Sequence, residues 1–212
     1  MNSSPTRPAL PPDQERRQIL DAVVEVCTRD SYRQASVEAV VAEAGITRAA
    51  FDRHFTDLED CFTAHILETR ETFLIEVGGA VLQASGWREQ MRAAAYAIVR
   101  FWQEDERRAR MILIEVLSAG PRAQLARDEG MEMMVSLIDQ GRQEMPDPEL
   151  LSRATAEAVA GAIYNQMRVI LEQGGIDRGR EHVPELMYTV VLPYLGREAA
   201  LEELEMPPPE EG

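Results

Sequence analysis

The sequence predicts an all-α protein, with a three-helix head carrying a helix-turn-helix and a larger helical body, about nine helices in all. Three observations predict it. Apolar residues recur at spacings of three and four, and period-two alternation is sustained nowhere. Residues that start helices (Asp13, Ser36, Thr47, Asp57) stand ahead of the apolar runs. The chain has 212 residues, 45% of them apolar, enough to bury a core.

Asp13 is placed to cap a first helix, whose apolar positions Ile19, Val23 and Cys27 repeat every four residues until Asp30-Ser31-Tyr32 breaks it. Ser36 caps a short helix, Val37 to Ala44, and Gly45 supplies a left-handed turn. Thr47 caps a third helix running to about Phe55. Asp57 starts a fourth, with Asp60 placed to reach back, running past Phe73 toward Gly78-Gly79. Five more helices follow. They run from Trp87 to about Gln103, along Met111 to Leu117, from Arg122 to about Gln143, from Asp147-Pro148 to Gln173, and from Val183-Pro184 through Leu195 with a kink at Pro193. The proline-rich arm 1–12 and the acidic, proline-containing tail 202–212 read as disordered. The head is then 13–73, with its motif at 36–55, and the body 74–201.

The formal net charge is −15, from 37 acidic and 22 basic residues, which disfavours nucleic acid at long range but leaves room for a local basic face. Every basic residue is arginine, as codons rich in G and C produce. Cys27 and Cys61 form no CxxC pair, and the start of the chain has no apolar leader. Both fit a cytoplasmic protein, and no stretch approaches the roughly 18 apolar residues that span a membrane. His54, His65 and His182 are scattered, and there is no HExxH, GxSxG or phosphate-cradling glycine loop. Neither catalysis nor a metal or cofactor is expected.

Residues 36–55 form a unit of two short helices about a glycine turn, which places its second helix in a DNA major groove. Val37, Val40, Val41, Ile46, Phe51 and Phe55 close a small core. Thr47, Arg48, Ala49, Asp52, Arg53 and His54 are left outside. Arg48 suits a guanine edge or a phosphate, Ala49 a thymine methyl, and Thr47 and His54 phosphates. From Asp13 to Phe73 there are 13 acidic and 7 basic residues, so a DNA-binding face has to gather Arg16, Arg17, Arg48 and Arg53, with Arg7 from the arm.

The runs Arg17-Gln18-Ile19-Leu20-Asp21-Ala22, Ser36-Val37, Ala44-Gly45-Ile46-Thr47-Arg48 and Arg53-His54-Phe55 resemble the TetR family of bacterial regulators over residues 13–73. The runs Arg110 to Leu117 and Val191 to Gly196 are similar to the bodies of many members. The resemblance implies a homodimeric, ligand-responsive repressor on a palindromic operator of double-stranded DNA. Thr47, Arg48 and Arg53 would be recognition-helix contacts, His54 a phosphate contact, and Ser36 a cap that touches the backbone. Two positions depart from the pattern: Asp52 stands where the family has tyrosine, and Leu58 where it has lysine. A carboxylate facing phosphates repels, and a lost cation removes about one counterion-release unit. A module of the same fold with weak or lost DNA binding is therefore the alternative; Asp52 is also placed to pair with Arg48 four residues earlier or to accept from a cytosine amino group.

In the body, Phe101, Trp102, Met111, Met134, Tyr164 and Met167 are candidates to line the apolar effector pocket that the resemblance implies. Each is equally at home in ordinary core. Glu115 lies inside an apolar run, so it needs a buried partner or a ligand. Ala154, Ala158, Gly161 and Ala162 share nearly one helix face, and Leu186 and Val190 belong to a wide apolar stripe on the last helix. One chain would struggle to bury both stripes, which predicts pairing across a two-fold axis.

Overall fold

The computed structural model describes residues 11–208. Within them lie nine α-helices and no strand: α1 (Pro12–Asp30), α2 (Val37–Ala44), α3 (Arg48–Phe51), α4 (Leu58–Gln83), α5 (Trp87–Glu104), α6 (Glu106–Leu113), α7 (Pro121–Asp139), α8 (Arg153–Glu172) and α9 (Val183–Glu205). Residues 1–10, including Arg7, and 209–212 lie outside the described residues, so most of the arm and the end of the tail do too.

The short helices of the head are fixed by local chemistry. Ser36 Oγ accepts the amide of Ala39 at 3.2 Å, Thr47 Oγ1 that of Ala50 at 3.1 Å, and Asp57 Oδ1 that of Asp60 at 2.7 Å. Gly45 closes α2 at φ 62°, ψ 35°. The Asp60 carboxylate reaches back to the Thr56 amide at 2.9 Å, one residue before the cap. The third helix is shorter than predicted. After Phe51 the chain tightens, and the amides of His54 and Phe55 both bond the Phe51 carbonyl.

Other boundaries move for identifiable reasons. Pro12, not Asp13, opens α1, because a first-turn proline has no amide to cap. Helix α4 passes through Gly78 and Gly79 to Gln83, neither glycine having a positive φ. The apolar run at 111–117 is not one helix. α6 stops at Leu113 and a 3-10 turn spans Glu115–Ser118. The Tyr164 hydroxyl lies 3.1 Å from the Ile112 carbonyl and 3.0 Å from that of Leu113, partnering acceptors that a continuing helix would have used. Asp147 caps only a 3-10 turn at Pro148–Leu150, and α8 begins after Ser152. In α9 the interruption comes at Gly196 (φ 80°, ψ −179°).

The tail boundary at 202 is corrected. α9 runs to Glu205, and the Glu203 side chain is 1% exposed, held by Arg88 and by Arg92, whose Nη2 lies 2.7 Å away. The head's core also crosses the expected boundary at 73/74. Ile19, Val23, Phe51, Phe55 and Phe62 pack in one cluster with Met111, Val116, Ala119 and Ala123 of the body. At this junction Gly120 (φ 107°) abuts the Glu59 carboxylate, where a Cβ would sit 2.6 Å from it.

Candidate nucleic-acid interface and ligand cavity

The outer face of the helix-turn-helix carries Thr47, Arg48, Ala49, Asp52 and Arg53, all exposed. Each arginine is matched to a carboxylate. Arg48 Nε donates to Asp52 at 2.8 Å and its Nη1 to Glu38 at 2.9 Å. Arg53 Nη2 donates to both oxygens of Glu15, at 2.8 and 2.9 Å. His54 Nε2 lies 2.9 Å from the same carboxylate. Burial raises the Glu15 pKa, but the hydrogen bonds from His54 and Arg53 outweigh it and hold the carboxyl below its ordinary value. Arg16 pairs with Glu68 and lies over the Phe55 ring at 5.5 Å, whereas Arg17 is exposed one residue on. Leu58 is the first residue of α4, half-buried against the head core.

The body holds a cavity of about 590 Å³ among α4, α5, α7, α8 and α9. That is within the usual range for small-molecule sites. Its walls are almost wholly apolar, with Phe73, Val77, Met91, Trp102, Met134 and Met167 among them. The charged side chains at the cavity are Arg70, Arg127 and Glu132. Leu74 and Met133, 42% and 39% exposed, stand where it meets solvent between α4 and α7. Among the described residues, no group of His, Cys, Asp and Glu is arranged to hold a metal ion. No described helix is long and apolar enough to cross a membrane.

Residues 19–64, the cluster of α1 to α4 just described, match the family described as "Bacterial regulatory proteins, tetR family". Over those residues, which make up the head, the chain is similar to the TetR family. It is 26% identical over 103 residues to the "HTH-type transcriptional activator FasR" of Mycolicibacterium smegmatis. That match covers 49% of this chain and 47% of FasR, so the chain spans about half the length of the curated relative it matches. Two solved structures share the fold. The fatty acid degradation regulator FadR from Bacillus halodurans has a TM-score of 0.73 and 14% identity, covering 93% of this chain and 100% of its own. FadR from Bacillus subtilis, in complex with stearoyl-CoA, has a TM-score of 0.70 and 18% identity, covering 85% of this chain and 98% of its own.

Of the residues expected at the pocket, Trp102, Met134, Tyr164 and Met167 come together on the cavity, and three do not. Phe101 lies behind it, edge-on to Trp102 and Phe73 at 4.9 and 5.5 Å. Met111 belongs to the head–body core. Glu115 is buried among protein partners, accepting the Tyr32 amide at 2.8 Å with Arg110 Nε 3.3 Å away. Sequence reasoning missed Arg70 and Arg127. The signal was there: Arg127 falls on the helix face of Met131 and Met134, and Arg70 on that of Phe73 and Val77.

The expected dimer residues divide. Ala154, Ala158, Gly161 and Ala162 lie exposed on α8. Leu186 and Val190 are 4% and 5% exposed and wall this chain's own cavity, so they are not free to meet a partner. The apolar stripe of α9 is buried within one chain because α5 and α8 cover it. Leu192, Leu201 and Leu204, 37%, 43% and 45% exposed, are large apolar residues that α9 leaves outside.

Proposed function

We propose that this chain is a DNA-binding transcriptional regulator whose head is controlled by a ligand in the body cavity. One observation carries the reading: α4 buries Cys61, Phe62 and Ile66 in the head and continues as the cavity wall at Phe73, Val77 and Val81. A ligand that changes the packing of α4 in the body therefore moves the frame on which α2 and α3 stand.

The part of the effector that the cavity encloses is mainly apolar, and a long-chain acyl compound suits both the cavity and the named ligand of the Bacillus subtilis relative. Two copies pair through the exposed small-residue face of α8. They bind a palindromic operator whose half-sites lie about one helical turn, roughly 34–36 Å, apart. Ligand binding alters the spacing of the heads and releases the operator, making the protein a repressor.

The test is a mobility-shift titration on the DNA flanking the protein's own gene, with and without palmitoyl-CoA. A salt-sensitive, sequence-specific shift weakened by the ligand is expected. No specific shift at any protein concentration sinks the reading.

A second reading is favoured by the pairing of Arg48 and Arg53 with carboxylates: the same fold with DNA binding weakened or lost. It predicts that the protein binds the acyl ligand but shifts no DNA.

A further inference from the structure

We infer that the cavity takes an amphiphile with an anionic head, and that Arg127, with Arg70 beside it, reads that head; this rests on the ligand-controlled reading above. Both arginines line the cavity, and their helices meet beside them. Arg70 Nη1 donates to the carbonyl of Ala126, the residue before Arg127, at 3.3 Å and to Glu129 at 2.7 Å. The Arg127 guanidinium lies over the Tyr164 ring, 5.4 Å from its centroid. Its Nε is buried and has no hydrogen-bond acceptor. The Asp128 carboxylate lies 3.2 Å away but out of line with the N–H. Arg70 and Arg127 are cationic side chains on a lining that is otherwise almost wholly apolar, so they are where the cavity favours an anionic group.

The surroundings give the ligand its polarity. Glu132, the carboxylate at the cavity, is paired with Arg153 of α8 rather than with Arg127. The rest of the lining includes Phe73, Val77, Met91, Trp102 and Met167, which offer nothing to a polar group and suit an apolar chain. A fork of N–H donors suits a carboxylate or a phosphate. The head is therefore either the carboxylate of a free fatty acid or a phosphate of an acyl thioester carrier.

Calorimetric titration of the full chain with palmitate, palmitoyl-CoA and 1-hexadecanol tests this. The wild type should bind at least one of the two anions about tenfold or more tighter than the alcohol. R127Q should lose most of that preference with hexadecanol binding unchanged, and R127K should retain part of it. Whichever anion loses more identifies the source of the head. Equal affinity of the wild type for all three ligands overturns the inference, as does an equal loss for all three in a folded R127Q. Binding of none of them removes the ligand-controlled reading as well.

Discussion

The Glu115 carboxylate accepts a hydrogen bond from the Tyr32 backbone amide at 2.8 Å, across 83 residues of sequence. It joins the turn between α1 and α2 to the turn that follows α6. Next to it, Arg33 Nε donates to Ser118 Oγ at 3.0 Å. On its other side the same segment meets the cavity, where Tyr164 holds the carbonyls of Ile112 and Leu113. Residues 112–118 are thus gripped by a cavity wall at one end and by the head at the other. Ser31, just before Tyr32, sits at φ 65°, a costly conformation for a non-glycine residue that its surroundings must hold in place.

Glu115→Ala should separate these roles. It strands the Tyr32 amide and removes the partner of Arg110, so a loss of about 1–3 kcal/mol in urea unfolding is expected. Glu115→Gln keeps an acceptor and should lose less. If the contact also transmits the ligand signal, the alanine variant binds palmitoyl-CoA normally but no longer changes its DNA affinity in response. An unaltered response in a folded Glu115→Ala protein would show that the signal travels elsewhere, with α4 the remaining route.

Asp52→Asn tests the electrostatics of the head. Asp52 takes the Arg48 Nε–H and places a negative charge on the face proposed to meet DNA phosphates. Removing that charge should tighten DNA binding several-fold and steepen the dependence of log K on log salt by about one unit, the signature of one more phosphate contact. Leu58→Lys is not an equivalent repair, because Leu58 packs against the head core.

Much of the head was legible in sequence because its signals are local. Ser36, Gly45, Thr47 and Asp57 act on amides and carbonyls within three or four residues, so their spacing alone locates α2, α3 and the start of α4. Periodicity, in contrast, reports that a face is buried and not what covers it. Leu186 and Val190 look the same in sequence whether they face a second copy or this chain's own cavity, and Met111 looks the same in a pocket or a junction. Glu115 announced its need for a partner, but a partner 83 residues away has no sequence signature. The end of α9 was hidden for a related reason. Glu202, Glu203 and Glu205 read as an acidic tail until Arg88 and Arg92 are seen against them.

That last contact makes a truncation informative. A chain ending at Leu201 deletes Glu203 and leaves the mostly buried Arg88 and Arg92 without their shared carboxylate. Removing one partner of a buried ion pair costs about 3–5 kcal/mol, less here because both arginines reach solvent. A fall of about 2–3 kcal/mol in unfolding free energy is expected, whereas a chain ending at Pro208 should be as stable as the full one. Equal stability of all three chains would mean that the Glu203 pairings contribute nothing.

Glu15 gives a pH dependence with a definite sign. Its folded pKa is lowered from 4.5, burial opposing and His54 and Arg53 prevailing. The stabilisation is therefore full above the unfolded value and is lost as pH falls through the lower, folded one. Glu15→Gln should be less stable than wild type at pH 7 by about 1 kcal/mol or less, since Arg53 is largely exposed, and the gap should close as pH drops below about 4.5. A gap that stays constant down to pH 3 would assign the effect to packing rather than charge.

Gly78 and Gly79 separate stability from ligand binding. Both lie inside α4, neither has a positive φ, and a Cβ at either would meet nothing within 4 Å. Alanine at either position should stabilise the helix by about 0.5–1 kcal/mol. Of the two, Gly78 lines the cavity. A larger side chain there grows into the space the ligand needs, so Gly78→Leu should weaken palmitoyl-CoA binding at least tenfold while leaving operator binding in the absence of ligand unchanged. Gly79→Leu, one residue round the helix, should leave ligand affinity as it was. Equal effects of the two leucines on ligand binding would place the acyl chain somewhere other than the cavity between α4 and α7.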